Sequence, residues 1–241
     1  VIIRAVVLFC PNQTTASSWK AIMPKTASSN PGPTSVKELR RAIDVVEKHE
    51  TRAAQYRVAT FLVDHFWGKP ENAVDGVGVA EALGVLLASW NMAFYRFSPF
   101  DYKCLEECLA KNETLIGDFR ERDILSYDPA DDDDRIRAIF DDFLRALACC
   151  RGKVKGKTSP IAAAKALHML APKFFPLWDK KIAKAYRCNY ATEPAKKYLR
   201  FMRKTKEIAE NLAGDVEVGA KTLLKMIDEY NYTKYAKPDW E

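Results

Sequence analysis

The chain has 241 residues, 48% of them hydrophobic and 29% charged, with ten glycines and twelve prolines, which supplies a packed core and excludes disordered, collagen-like and low-complexity classes. No uncharged apolar stretch approaches the ~20 residues that cross a bilayer, so a soluble globular protein with no membrane partner is expected. The net charge of +6 is unevenly spread, because 151–207 holds sixteen Lys or Arg against Asp179, Glu193 and Glu207, whereas 101–148 holds fourteen acids against seven bases, which makes the former a candidate anion-binding face.

In chain order, 1–9 has the β-branched density of a strand. Its apolar run after Arg4 is only six residues and stops at Pro11 without a small-residue cleavage site, so no secretory signal is expected. Residues 1–22, ahead of the first methionine at Met23, read either as native chain or as an extension. The Ser-, Thr-, Asn- and Pro-rich stretch 11–34 reads as a flexible arm, which makes 1–34 an arm and 35–241 a single domain. Ser35 heads a helix with Val36, Leu39, Ile43 and Val46 on one face, and Glu38 completes a capping box. Helices are predicted near 51–67, 79–96, 102–111, 113–122 and 132–150, separated by Gly-Lys-Pro, Ser-Pro and Asp-Pro punctuation. Ser159 and Pro160 open another helix to about Leu170 as N-cap and first turn. Pro172 and Pro176 then bracket a turn before 177–186, and longer helices follow at 194–212 and 215–230. The expected architecture is all-α, a compact multi-helix unit.

The six cysteines, at positions 10, 104, 108, 149, 150 and 188, show neither CxxC pairing nor zinc spacing, and the three histidines are scattered. No metal and no cofactor is expected. Cys104 and Cys108 read as small buried thiols, and a reducing, cytoplasmic location follows. Gly156-Lys157-Thr158-Ser159 has phosphate-loop letters, but Arg151 stands where the earlier glycine belongs and no strand precedes it. The Asp131–Asp134 run lacks the ligand alternation of a calcium loop and reads as the acidic first turn of the helix carrying Arg135 and Ile136. Trp90, Phe94, Tyr95 and Phe97 follow Leu86 and Leu87 at helical spacing, so core packing is expected unless a ring faces a cleft. Asn91 beside them is either a buried hydrogen-bonded side chain or a pocket residue. His168 reads as a satisfied core or interhelical partner.

Residues 152–188 hold most of the functional signal: a Gly-containing basic turn, an Ala-rich helix, a Pro-bounded turn and an Asp heading a basic helix. Backbone amides and lysines at such a turn suit a nucleic-acid phosphate. This stretch resembles the helix-hairpin-helix DNA glycosylase superfamily, in which a Gly-rich hairpin leads an Ala-containing helix and a Pro-x-Asp segment about twenty residues later carries the catalytic carboxylate. Gly156 takes the place of the hairpin's last glycine, and Phe175-Pro176-Leu177-Trp178-Asp179 that of the Asp-bearing segment. Ile182, Ala183 and Tyr186 fall on the core-facing side of the next helix. The likeness extends over roughly 79–188, with 79–96 as the long buried helix, 100–111 as the short one after it and 135–150 as the helix leading into the hairpin. The departures are Val154-Lys155-Gly156 for Leu-Pro-Gly-Val-Gly, Trp178 before the Asp, Lys180-Lys181 after it, no iron–sulfur cysteines, and Thr158 where bifunctional members carry a lysine. Asp75-Gly76-Val77-Gly78 matches the hairpin letters better, with Asp101 following, but its acidic surroundings favour a plain helix start.

The resemblance implies DNA as partner, with a nucleoid or nuclear location when bound, and excision of a damaged base by N-glycosidic cleavage. Asp179 would be the catalytic carboxylate and Lys157, with Lys165 as substitute, the amine. Lys153, Lys155, Gly156, Lys157, Thr158, Lys180, Lys181 and Lys184 would contact nucleic acid, and Trp90, Asn91 and Trp178 would line the base pocket. Read from the residues alone, Asp179 is equally an N-cap, and the alternative is a non-catalytic helical module that binds nucleic acid or protein. The enzymatic reading requires the 152–158 bend and Asp179 to border one cavity.

Overall fold

A computed structural model describes residues 31–68, 74–214 and 221–240, and every regular element among them is helical. None of those helices is long and apolar enough to cross a membrane. The strand expected at 1–9 and most of the expected arm lie outside the described residues. Residues 31–34 lie against the domain instead of extending from it: Gly32 and Pro33 are buried, and the Tyr235 hydroxyl donates to Pro31 O (2.6 Å). Ser35 caps α1 (Val36–Glu47), but the Glu38 carboxylate reaches back to the Thr34 N–H (2.7 Å) and hydroxyl (3.1 Å), displacing the capping box by one residue.

α2 (Glu50–Trp67) and α3 (Gly76–Trp90) form the most closely packed helix pair. Asp75 caps α3 through the Gly78 N–H (3.0 Å), which gives the Gly76-Val77-Gly78 stretch its role as a helix start. A Cβ at Gly78 would stand 2.3 Å from the Phe66 ring, so only glycine permits the approach. The helix expected over 79–96 breaks at Asn91, whose backbone leaves helical geometry (φ −122°, ψ 25°), and resumes as a single turn, α4 (Met92–Tyr95). Tyr95 is buried, but Phe97 is 69% exposed, so core packing fails for that ring.

The two helices expected over 102–111 and 113–122 are one, α5 (Tyr102–Arg120). Asn112 does not interrupt it, because its side-chain amide donates to Cys108 O one turn back (2.9 Å) and to Asp142 (3.2 Å). Cys108 is buried as expected and burial pushes its thiol up to about 12, whereas Cys104, on the outer face, is exposed. α6 (Pro129–Ala146) starts earlier than predicted, with Asp128 as cap and Pro129 in the first turn. Asp131 and Asp132 sit in that first turn. Asp132 turns inward, where Arg122 grips both its oxygens (2.8 and 2.6 Å).

α7 (Pro160–Leu170) is capped by Ser159 and is buried from Ala162 to Leu170. α2, α3, α6 and α9 all pack on it, and its alanines let their backbones come close. The Pro-bounded turn feeds Phe174 and Phe175 onto Phe119 and sets Trp178 among Phe140, Tyr198 and Phe201. α8 (Lys180–Ala185) is shorter than predicted and buries Ile182 and Ala183. α9 (Pro194–Leu212) has its expected bounds. α10 (Leu223–Asn231) runs into a wider π turn at Tyr232–Ala236. Of the 215–230 helix, 215–220 lie outside the described residues.

Candidate functional site

Between α6 and α7 the chain makes a hairpin over 147–159. Its neck is closed by the Cys149 N–H donating to Lys157 O (2.9 Å) and the Gly156 N–H donating to Cys149 O (2.8 Å). Gly152 and Gly156 adopt φ of 68° and 81°, and a Cβ at Gly156 would meet nothing, so backbone conformation alone calls for glycine there. The Cys150 N–H donates to Pro99 O (2.9 Å) and the Arg151 N–H to the Ser98 hydroxyl (2.9 Å), which anchors the hairpin to the turn before α5. Lys153, Lys155, Gly156, Lys157 and Thr158 are exposed on it.

Beside the hairpin exit lies a cavity of about 600 Å³, bordered by Trp90, Asn91 and Phe94, by Thr158, Ser159 and Lys165, by Trp178 to Lys181, by Tyr190, and by Asp228 and Tyr232 from the C-terminal helix. Of the 152–158 bend only Thr158 borders the cavity that Asp179 also borders; Lys153, Lys155 and Gly156 stand outside it. A larger hollow of about 900 Å³ between α2 and α3 is walled by Ala53, Ala54, Val58, Ala59, Val85 and Leu86 together with Glu47, Thr51, Gln55, Arg57 and Ser89; it borders neither the hairpin nor Asp179.

Asp179 both caps a helix and borders the cavity. Its Oδ1 accepts the Ile182 N–H (2.9 Å) and so caps α8, while the half-buried carboxylate borders the cavity. Its charge is felt across the wall: burial, then the negative Asp179, pushes the Tyr190 phenol up to about 12.

Lys157 does not border the cavity; Lys165 does, one helix further on. The Lys165 ammonium donates to Asn91 Oδ1 (2.5 Å) and Trp90 O (2.8 Å) and lies 5.7 Å from the Trp90 ring centroid. Asn91 Nδ2 in turn donates to the Ser159 hydroxyl (3.3 Å). An ammonium only donates, so this contact fixes which end of the Asn91 amide faces it. Asn91 is thus both buried and pocket-lining, and the helix break it makes aims it at Lys165. Trp178 borders the cavity but is 1% exposed. Its buried indole N–H has no hydrogen-bond acceptor among the described residues, and the ring stands edge-to-face against Tyr190 (5.0 Å, 72°). Lys180 and Lys181 stand at the cavity rim, with Lys181 also donating to Ala236 O (2.8 Å). Lys184, one turn on, is exposed and outside it.

Behind the cavity wall the polar groups are satisfied. His168 is fully buried; its Nδ1 lies 2.7 Å from Phe175 O and its Nε2 2.9 Å from the Tyr56 hydroxyl. A carbonyl only accepts, so Nδ1 carries the proton and Tyr56 donates to Nε2. Burial holds the ring's pKa down at about 4. On α10, Lys225 meets Asp228 (2.9 Å) and Glu229 (3.6 Å), and Lys221 meets Glu229 (3.0 Å). Burial pushes the Glu229 carboxyl up against the pull of both lysines.

Sequence reasoning left Asp228, Tyr190 and Tyr232 out of the site, and nothing local to them signals it. Lys165 did carry a signal, as the one lysine within the apolar Pro160–Leu170 helix. Among the described residues no group of three or more His, Cys, Asp or Glu is placed to hold a metal ion. Comparison with protein-family models, with curated proteins and with solved structures finds no match.

Proposed function

We propose that this protein is a DNA-glycosylase-like enzyme that binds DNA through the 152–158 hairpin and releases a damaged base into the cavity beside it. A single observation carries the reading: the exit of a basic, glycine-bent hairpin, the Asp179 carboxylate and the Lys165 ammonium border one cavity that also has the Trp90 ring in its wall. A base turned out of the duplex needs a recess with an aromatic or apolar wall, and the Trp90 ring beside the basic hairpin's exit supports that reading. Asp179 stabilises cationic character on the sugar as the N-glycosidic bond breaks, or activates the water that attacks C1′. Lys165, in place of Lys157, is the amine positioned to form an imine with an abasic sugar. Borohydride should then trap a covalent adduct with abasic DNA in wild type and none in Lys165→Gln; an enzyme that releases base without any adduct uses water alone.

Cleavage of a panel of damaged-base duplexes by wild type and Asp179→Asn tests the whole reading. Asn caps a helix as well as Asp, so this variant keeps the Ile182 bond and removes only the charge. Base release lost with DNA binding retained supports the enzyme. The second reading, a DNA-binding module without chemistry, is favoured by the capping bond that already occupies Asp179 Oδ1; it expects wild type to bind DNA and release no base from any duplex in the panel.

A further inference from the structure

α8 ends on an arginine in a glycine's conformation. The Arg187 N–H donates to Lys184 O (3.1 Å) and the Cys188 N–H to Ala183 O (2.8 Å). This bond pair defines a helix terminus whose left-handed residue is usually glycine. Arg187 holds φ at 54°, where any side chain is strained. Its guanidinium is exposed, and among the described residues it makes neither hydrogen bond nor ion pair. The two backbone bonds hold the turn, but among the described residues no contact of the side chain calls for an arginine there.

Arg187 does not stand alone. Lys180 and Lys184, at i and i+4, share one side of α8 beginning at the cavity rim, and Arg187 follows at the turn just past its C-cap Tyr186. Lys204 of α9 donates to Tyr186 O (3.1 Å) at the same bend, which brings that side of α9 against it. Lys197 and Arg200 lie two turns and one turn earlier on α9, and with Lys204 they oppose the upward push of burial on the Cys188 thiol. Asp179 stands at the start of α8, and Glu193, at the start of α9, is taken by Lys196 (3.2 Å). Lys184, Arg187, Lys197 and Arg200 meet no carboxylate among the described residues.

We infer that Lys184, Arg187, Lys197 and Arg200 form a second DNA-backbone contact, a ridge running from Lys180 at the cavity rim that holds phosphates flanking the nucleotide in the cavity. The inference rests on the DNA-binding reading above. One strand carries a phosphate per ~3.4 Å of duplex axis, so cations spaced along such a ridge can each meet a different phosphate. Guanidinium groups suit phosphate because their planar fork donates two parallel hydrogen bonds.

The test is equilibrium binding of a 20-base-pair duplex across a series of salt concentrations, for wild type, Arg187→Gly and Lys197→Ser/Arg200→Ser, with thermal midpoints recorded alongside. Wild type should bind with a negative slope of log affinity against log salt. Arg187→Gly should flatten that slope by about 1 and the double variant by about 2, with roughly tenfold weaker binding per contact near 0.1 M salt. Arg187→Gly should also raise the thermal midpoint, because glycine relieves the strained φ; weaker binding by a more stable protein cannot arise from misfolding. Variants with wild-type affinity and slope would overturn the ridge while leaving the hairpin and cavity reading intact. Wild type with no salt-dependent binding would remove the DNA reading itself, and the ridge with it.

Discussion

The acidic helices α5 and α6 and the basic stretch 151–207 treat their cations in opposite ways. In the first, Lys111, Arg120, Arg122, Arg135, Arg137 and Arg145 each meet a carboxylate. In the second, Lys153, Lys155, Lys157, Lys180, Lys184 and Arg187 meet none among the described residues. α9 divides between the two: Arg203 pairs with Asp133 and Lys206 donates to Tyr127 O, while Lys197 and Arg200 have no carboxylate partner. Lys103 is the exception in the acidic region, meeting no carboxylate among the described residues, and two of the six pairs lie within α6 itself; in the basic region most cations are left for an outside anion. Pairing, more than net charge, separates a structural cation from a binding one.

The sharpest way to break this contrast is Asp179→Asn. If the basic region is where chemistry happens, this change should cost about 10²–10⁴-fold in base release, with the thermal midpoint and DNA affinity close to wild type. A loss of stability on the same scale would make Asp179 a structural acid like those of α6.

Asp132 is the acidic region's counterpart. Burial pushes its carboxyl up, but the Arg122 hydrogen bonds, the Asp128 N–H and the Arg122 and Arg135 charges outweigh that and hold its pKa below 3.8. Asp132→Ala removes the acceptor for two Arg122 bonds and the Asp128 N–H, while Arg135 keeps Asp118 and Arg122 keeps Ser126 O, and should cost about 1–3 kcal/mol in denaturant unfolding. A carboxyl whose pKa is depressed on folding stabilises above its unfolded pKa and loses that contribution as pH falls through the folded value. The stability difference between wild type and Asp132→Ala should therefore be full above pH 4 and shrink below it.

His168 titrates in a different window. Its pKa falls from 6.5 to about 4 on folding, so between those values the unfolded chain takes up a proton that the native ring refuses, and stability falls as pH falls. The loss should reach on the order of 3 kcal/mol by pH 4 and be absent from His168→Gln. Glu229, raised by burial from 4.5, acts in the opposite sense just above that value. The informative quantity is therefore the difference between the two unfolding curves.

What could be read without coordinates was local. Ser35, Ser159 and Asp179 cap helices because a short polar side chain meets an amide three residues on, a relation contained within one turn of sequence. The continuity of α5 was not legible, since Asn112 is satisfied partly by Asp142, thirty residues away. The break at Asn91 was equally hidden, because the groups that hold its side chain, Ser159 and Lys165, come from another helix. The cavity was half visible: the resemblance pointed to Trp90, Asn91, Trp178 and Asp179, whereas Asp228 and Tyr232 arrive from the far end of the chain.

The smallest expected effect compares two exposed charges. Asp134 is 91% exposed and pairs with Arg137 one turn on, an arrangement worth less than about 0.5 kcal/mol. Lys153 is exposed on the hairpin without an ion-pair partner among the described residues. Asp134→Ala and Lys153→Ser should both leave the thermal midpoint nearly unmoved, since neither side chain is packed. They should part company on DNA: Lys153→Ser should flatten the salt dependence of binding by about one unit of slope, while Asp134→Ala leaves it unchanged. Equal slopes for the two variants would mean that an unpaired cation on this hairpin is no more available to phosphate than a paired one on α6, and the contrast between the two regions would lose its functional content.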